Sequence, residues 1–188
     1  MAATSTMMPL GTPAPPFALA DPDGRVTSSE ALADAPALLV MFLCNHCPYV
    51  RHVREGLAAL TAEYIDKGVA VVGINPNDYE AFPDDAPERM AEEAREVGYR
   101  FPYLIDEDQE VAKAYGAACT PDFFLFDANR RLVYRGQMDD SRPNNGVPVT
   151  GESLRAALDA VLSGDPPLTE QHPSMGCSVK WRPGNEPG

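Results

Sequence analysis

An α/β layer fold with a central mixed β-sheet flanked by helices is the architecture this 188-residue chain predicts, and two observations carry that reading. The first is a pair of apolar runs of strand length, "APALLVMFL" (Ala35 to Leu43) and "VAVVGIN" (Val69 to Asn75), separated by a stretch of helical periodicity. Strand, helix, strand with short connections is a crossover unit whose strands lie parallel. The second is a pair of short apolar runs, Phe123 to Phe126 and Arg131 to Arg135, divided only by "DANR", which reads as an antiparallel hairpin. Parallel and antiparallel pairs in one chain make the sheet mixed.

Each element follows from local pattern. "FALADPDGRVTS" reads as a small N-terminal hairpin turning at Asp23-Gly24. The unbroken apolar run from Ala35 suits a strand covered on both faces. From Pro48 to Lys67, Val50, Val53, Leu57, Leu60 and Tyr64 recur at helical spacing, and Gly68 supplies the left-handed stop. "DDAPERMAEEAREVG" offers Asp85 as N-cap, Glu88 three residues on, Pro87 in the first turn and Gly98 as the stop, a helix on an insertion. A shorter helix is expected from Asp108 to Tyr115, ending at Gly116. The last helix is marked by Thr150, Leu154, Leu158, Val161 and Leu162 and ends at Gly164. Residues 1–163 thus form one domain, and residues 164–188 a C-terminal extension. No internal repeat is present. The extension has linker composition but carries Met175, Cys177 and the single Trp181, so it reads as a tail anchored onto the domain rather than a free one.

Charge narrows the function. Fifteen Lys and Arg stand against 28 Asp and Glu, a net charge of −13 that repels nucleic acid and anionic membrane surfaces. The opening residues have neither a basic n-region nor an apolar h-region, and no run approaches membrane-spanning length. The expectation is a cytoplasmic protein with no nucleic-acid or membrane partner. In that compartment a paired cysteine motif is more often catalytic or metal-binding than structural.

That motif is "FLCNHCPYV", with Cys44 and Cys47 at the junction of strand and helix. A thiolate is the nucleophile of disulfide exchange, and a helix N-terminus favours negative charge through its free N–H groups and dipole. Cys47, about one helical turn beyond Cys44, can close a small-ring disulfide with it. His46 places a cationic or hydrogen-bonding group beside the thiolate, a tuning residue that makes the disulfide more oxidising. Structural zinc would need two further ligands, and no second CxxC or His pair exists; Cys119 and Cys177 are isolated. No metal and no cofactor are expected for the redox reading.

The order of strand, CxxC, crossover helix, strand and a later Thr-Pro before a hydrophobic hairpin resembles the thioredoxin superfamily. "ACTPDFFLFD" is similar to that family's cis-proline segment, which implies a cis Thr120-Pro121 bond facing the CxxC and a backbone edge on which a substrate strand docks. The N-terminal hairpin and the insertion from Asp78 to Gly98 resemble the larger branch of peroxiredoxins and the alkyl hydroperoxide reductase/thiol-specific antioxidant group. "CNHCPYV", "CTPDFFLFD" and "PSMGCSVKW" together look like a peroxiredoxin-like set carrying a thioredoxin-style CxxC. The chain departs from both patterns. Val40 and Cys44 take the Pro and Thr positions of the peroxiredoxin signature, Leu43 replaces thioredoxin's Trp, and Leu38 its buried acid.

The resemblance implies a thiol–disulfide oxidoreductase of thioredoxin-like fold serving redox homeostasis. Its partners would be a protein or small-molecule disulfide and an external thiol reductant. Cys44 is expected as the exposed nucleophile, Cys47 as the resolving thiol, and Thr120 and Pro121 as the docking segment. One alternative is an antioxidant peroxidase, with Cys47 attacking a hydroperoxide and Cys44 resolving the sulfenic acid. Another is a carrier binding Cu(I) through both thiolates. Cys119 and Cys177 are expected as accessory redox thiols, with the tail folded onto the active-site side and Cys177 close to Cys119 or to the CxxC pair.

Overall fold

The computed structural model describes all residues from Met1 to Gly188. In chain order the strands are β1 (Ala2–Thr4), β2 (Ala18–Ala20), β3 (Val26–Ser28), β4 (Leu38–Phe42), β5 (Ala70–Asn75), β6 (Tyr103–Ile105), β7 (Cys119–Thr120), β8 (Asp122–Phe126), β9 (Leu132–Gly136) and β10 (Met175–Ser178). The helices are α1 (Pro48–Asp66), α2 (Pro87–Val97), α3 (Glu110–Tyr115) and α4 (Glu152–Leu162). No helix is long and apolar enough to cross a membrane.

The central strand shows why its sequence is apolar without interruption. Every residue of β4 is buried, and successive side chains go to opposite faces. Leu39 and Met41 pack with Val53, Leu57 and Leu60 of α1 and Leu154 and Leu158 of α4. Leu38, Val40 and Phe42 pack with Val111, Ala112 and Tyr115 of α3 and with Phe124 and Phe126 of β8. The five-stranded sheet has the order β6-β5-β4-β8-β9. β4, β5 and β6 run parallel, and β8 and β9 are antiparallel. This is the thioredoxin-like mixed sheet. The edge strand β6, too short to show a period, was not foreseen. The expected N-terminal hairpin is β2 paired with β3.

Two local details bear on the site. Helix α1 starts at Pro48, where the sequence places it, so its N-cap is Cys47 and Cys44 lies outside the helix. Asp85 is not the N-cap of α2; that position belongs to Ala86, and the Asp85 carboxylate turns inward instead. Its three-residue spacing to Glu88 imitates a capping box, but three donors in the interior compete for the carboxylate.

A three-stranded sheet of order β1-β10-β7 holds the C-terminal segment against the domain. Cys177 pairs with Thr120 and Ser178 with Cys119, while Ala2 to Thr4 cover the other edge of β10. Further bonds strap the segment on both sides of the strand: Gln137 N–H donates to His172 O at 3.0 Å, and Lys180 N–H donates to Asn77 Oδ1 at 2.9 Å. Trp181 packs on the second core cluster, whereas Met175, expected as an anchor, is exposed. The approach of β10 to β7 is close enough that a Cβ on Gly176 would sit 1.9 Å from Thr120 O. Only glycine fits there.

Candidate active site

Cys44, Cys47 and Thr120 meet at the carboxyl end of β4. The Cys44 Sγ lies 3.1 Å from Thr120 Oγ1, and the Cys47 Sγ lies 3.3 Å from Thr120 O, to which its protonated form donates. The Thr120-Pro121 peptide bond is cis. Both sulfurs are buried: Cys44 is 1% exposed and Cys47 0%. The expectation of an exposed Cys44 is therefore corrected. The backbone edge at Thr120, expected to receive a substrate strand, is occupied by the chain's own β10.

The electrostatics of the two thiols are also the reverse of the expectation. Cys47, at the N-cap, is drawn down to about 5, first by a hydrogen bond from the Cys44 thiol and then, against the cost of burial, by contacts from Cys177 and the Val50 amide. The sulfur makes no in-line capping bond, so the Val50 N–H acts on it as a nearby dipole of the first helical turn. Cys44 is pushed well up by its role as donor to Cys47, by burial, and by the negative charge of Asp85. The thiol–thiol contact is the largest cause on both sides; the Val50 amide of the first helical turn adds to it at Cys47, and a carboxylate from a distant loop adds to it at Cys44.

Asp85 is the centre of a buried polar cluster. Its Oδ1 accepts from Asn45 N–H at 2.8 Å and from Asn75 Nδ2 at 3.2 Å. Its Oδ2 accepts from Asn77 Nδ2 at 2.9 Å and lies 2.7 Å from His46 Nδ1. The imidazole nitrogen is out of line for a formal N–H···O bond, so the contact is primarily an ion pair. Burial alone would raise the Asp85 carboxyl, but His46, the Asn45 amide and Asn77 hold it below the ordinary range. The contact with Asp85 in turn raises the His46 imidazole against the opposing effect of burial. His46 also stacks on Phe82 at a centroid distance of 6.2 Å. Tyr103 OH donates to Asn45 Oδ1 at 2.8 Å, fixing the first residue between the cysteines.

Cys44 Sγ, a His46 nitrogen and an Asp85 oxygen lie within 4.8 Å of one another. A soft metal could draw on this set, but the Asp85 oxygens are already engaged by protein donors, and the arrangement serves proton exchange better. His46 is the member that reaches solvent, its side chain 27% exposed against 0% for Asp85.

The remaining cysteines part company. Cys119 and Thr120 are adjacent on β7 and so point to opposite faces. Cys119 is buried with its thiol directed to Pro121 O and Ser174 O, and burial pushes it far up. It does not face Cys177, which lies opposite Thr120 and shares its side of the strand pair. Cys177 packs against the core cluster that contains Cys47, and each thiol shifts the other's pKa. The sequence reading missed Asp85, Asn75, Asn77 and Tyr103 because they lie on loops and strands with no local link to the CxxC. Only Asn45, inside the motif, carried a signal. A surface cleft of about 550 Å³ between the β2–β3 turn and α2 contains no cysteine.

Comparison with known proteins places this geometry in context. The Redoxin family model matches residues 9–154. The chain is similar to the crystal structure of an uncharacterized conserved protein from Geobacillus kaustophilus, with 58% identity, coverage of 97% of each chain and a TM-score of 0.95. A hypothetical protein from Sinorhizobium meliloti 1021 is 54% identical, with 96% of this chain and 99% of that one covered and a TM-score of 0.95. Among curated proteins, the thiol-disulfide oxidoreductase ResA of Geobacillus thermodenitrificans is 28% identical over 129 residues, 68% of each chain.

Proposed function

The chain belongs to the redoxin family, and from that premise we propose that it is a thiol–disulfide oxidoreductase in which Cys47 attacks and Cys44 resolves. The observation that carries this assignment is the placement of Cys47 at the N-cap of a 19-residue helix, where the neighbouring Cys44 draws its thiol down. The name of the ResA relative supports the reaction class. The Cys47 thiolate attacks a substrate disulfide, forming a mixed disulfide and releasing one substrate thiolate. The Cys44 thiol then loses its proton and attacks Cys47 Sγ; the second substrate thiol leaves, and the Cys44–Cys47 disulfide closes. Two electrons pass from the protein to the substrate, and an external thiol reductant returns them.

The buried Asp85 and the half-buried His46 supply what thioredoxin's buried acid would supply. Above its raised pKa the neutral His46 accepts the Cys44 proton and passes it to solvent, while Asp85 holds the ring in place. The Thr120 hydroxyl steadies the Cys44 sulfur. The substrate class is a protein or small-molecule disulfide. Mass mapping after brief treatment of the reduced protein with substoichiometric iodoacetamide near pH 6 tests the assignment: label on Cys47 is expected, and label confined to Cys44 would restore the opposite order.

One observation favours a second reading. A low-lying thiolate at a helix N-terminus is also what peroxide reduction needs, with Cys47 oxidised to the sulfenic acid, water released, and Cys44 closing the disulfide. That activity would make the protein an antioxidant. Hydrogen peroxide consumption in the absence of any disulfide substrate separates the two. A cytoplasmic location rests on composition and on the reducing environment that would keep its thiols available; cell fractionation tests it.

A further inference from the structure

Cys177 is not part of the CxxC, yet the fold delivers it there. It stands opposite Thr120 in the β7–β10 pairing, on the side of the strands that faces Cys44 and Cys47. It packs against the core cluster that contains Cys44 and Cys47, and its thiol and backbone amide both favour the Cys47 thiolate. The register that brings it there is pinned by Gly176, where any side chain would collide with the Thr120 carbonyl. Bonds from β1 on the far edge and from Asn77 beyond Lys180 hold the strand in place. Cys177 is also the one cysteine of the four that is not fully buried.

We propose that Cys177 is a third redox-active thiol, carried on the C-terminal strand, which resolves the mixed disulfide on Cys47 and closes an intrachain Cys47–Cys177 disulfide. The proposal rests on the reading of Cys47 as the attacking sulfur. The chemistry balances as two exchanges. Cys47 thiolate attacks the substrate disulfide, and one substrate sulfur leaves as a thiolate that takes up the Cys177 proton. Cys177 thiolate then attacks Cys47 Sγ, the bond to the bound substrate sulfur breaks, and that sulfur leaves as a thiolate that solvent protonates. Attack by Cys44 on Cys47 can then return Cys177 to the thiol and pass the oxidation to the CxxC pair, with no net change in electrons.

The environment of Cys177 suits this timing. Burial raises its thiol to about 11, helped by the hydrogen bond and negative charge of Cys47, while Lys180 opposes them. Once Cys47 is held in a mixed disulfide its charge is gone, and part of the upward push on Cys177 goes with it. Cys44 loses its Cys47 contribution as well but keeps its burial and the Asp85 charge, and Cys177 keeps its own burial. What sets the tail thiol apart is access, since it is the less buried of the two sulfurs.

The test uses the full-length chain with 5,5′-dithiobis(2-nitrobenzoate), one equivalent per protein, on reduced Cys44→Ser and Cys44→Ser/Cys177→Ser variants. In the single variant two thionitrobenzoate ions per protein are expected, with a Cys47–Cys177 linkage by mass mapping. In the double variant release stops at one, and the mixed disulfide on Cys47 outlives that of the single variant by about a hundredfold or more, the advantage of a tethered thiol over dilute external ones. One ion from the single variant, with a lasting Cys47 adduct, would overturn the proposal while leaving Cys47 as the attacking sulfur. No reaction at Cys47 in either variant would overturn the underlying reading as well. Acid-quenched mapping of the unsubstituted chain covers the case of a misfolded variant: a Cys47–Cys177 linkage early in the time course supports the proposal, and Cys44–Cys47 alone at every time refutes it.

Discussion

Replacing Asp85 by Asn keeps the shape of the side chain and removes its charge, which isolates what the buried carboxylate does. The amide oxygen can take the Oδ1 role and still accept from Asn45 N–H and Asn75 Nδ2. Its NH2 then faces Asn77 Nδ2, a donor against a donor. Asn77 is not free to flip, because its Oδ1 accepts from Lys180 N–H at 2.9 Å. The loss is one charge-assisted hydrogen bond plus a donor left without an acceptor, about 2–4 kcal/mol near neutral pH. Part of that loss depends on pH, with a sign that follows from the two pKa shifts. His46 is raised by the pair, so its contribution is complete below the ordinary imidazole range and is lost as pH rises through the folded-state value. Asp85 is depressed, so its contribution is complete above the ordinary carboxylate range and is lost as pH falls through the folded-state value. The ion pair therefore contributes fully between about pH 4 and pH 6.5. Urea denaturation of the reduced parent and Asp85→Asn chains at pH 6 and pH 9 reads this directly, and the gap between them is expected to be larger at pH 6. An NMR titration should show the His46 imidazole moving down in the variant. A stability gap that does not change with pH, together with an unmoved His46 titration, would refute the role assigned to the pair.

Three other outcomes follow from the same geometry. Gly176→Ala places a Cβ 1.9 Å from Thr120 O, so β10 must lift from β7 at a cost of about 1–3 kcal/mol; Cys47 should then be alkylated faster, and an unchanged rate would mean that the strand does not cover the sulfur. The iodoacetamide rate at Cys47 should rise with pH through a midpoint near about 5 and then level off, whereas a midpoint near the free-thiol value of about 8.5 would remove the N-cap argument. Thr120→Val removes the hydroxyl that lies 3.1 Å from Cys44 Sγ and lowers its pKa; a loss of about 1 kcal/mol in stability and a several-fold slower closure of the Cys44–Cys47 disulfide are expected, and stopped-flow exchange kinetics indistinguishable from the parent would refute the contact.

The sequence by itself determined the parts whose information is periodic or adjacent. Continuous burial of β4, the helical spacing from Val50 to Tyr64, the stop at Gly68 and the β8–β9 hairpin are written in short windows, because burial on one face or two imposes a period on the residues themselves. The CxxC is legible for the same reason, since its two cysteines are neighbours in the chain. Which of them becomes the thiolate is not a local property. The start of α1 at Pro48, one residue after Cys47, is written in the chain, but the outcome depends also on Asp85, which the fold brings beside Cys44 from the far side of β5 and disguises in sequence as a helix cap. Cys177 was recognisable as an odd residue in a linker-like tail, but only the β7–β10 register shows that it faces Cys47 and not Cys119. Electrostatic and steric contacts of this kind join residues distant in sequence, and no pattern along the chain encodes a distance in space.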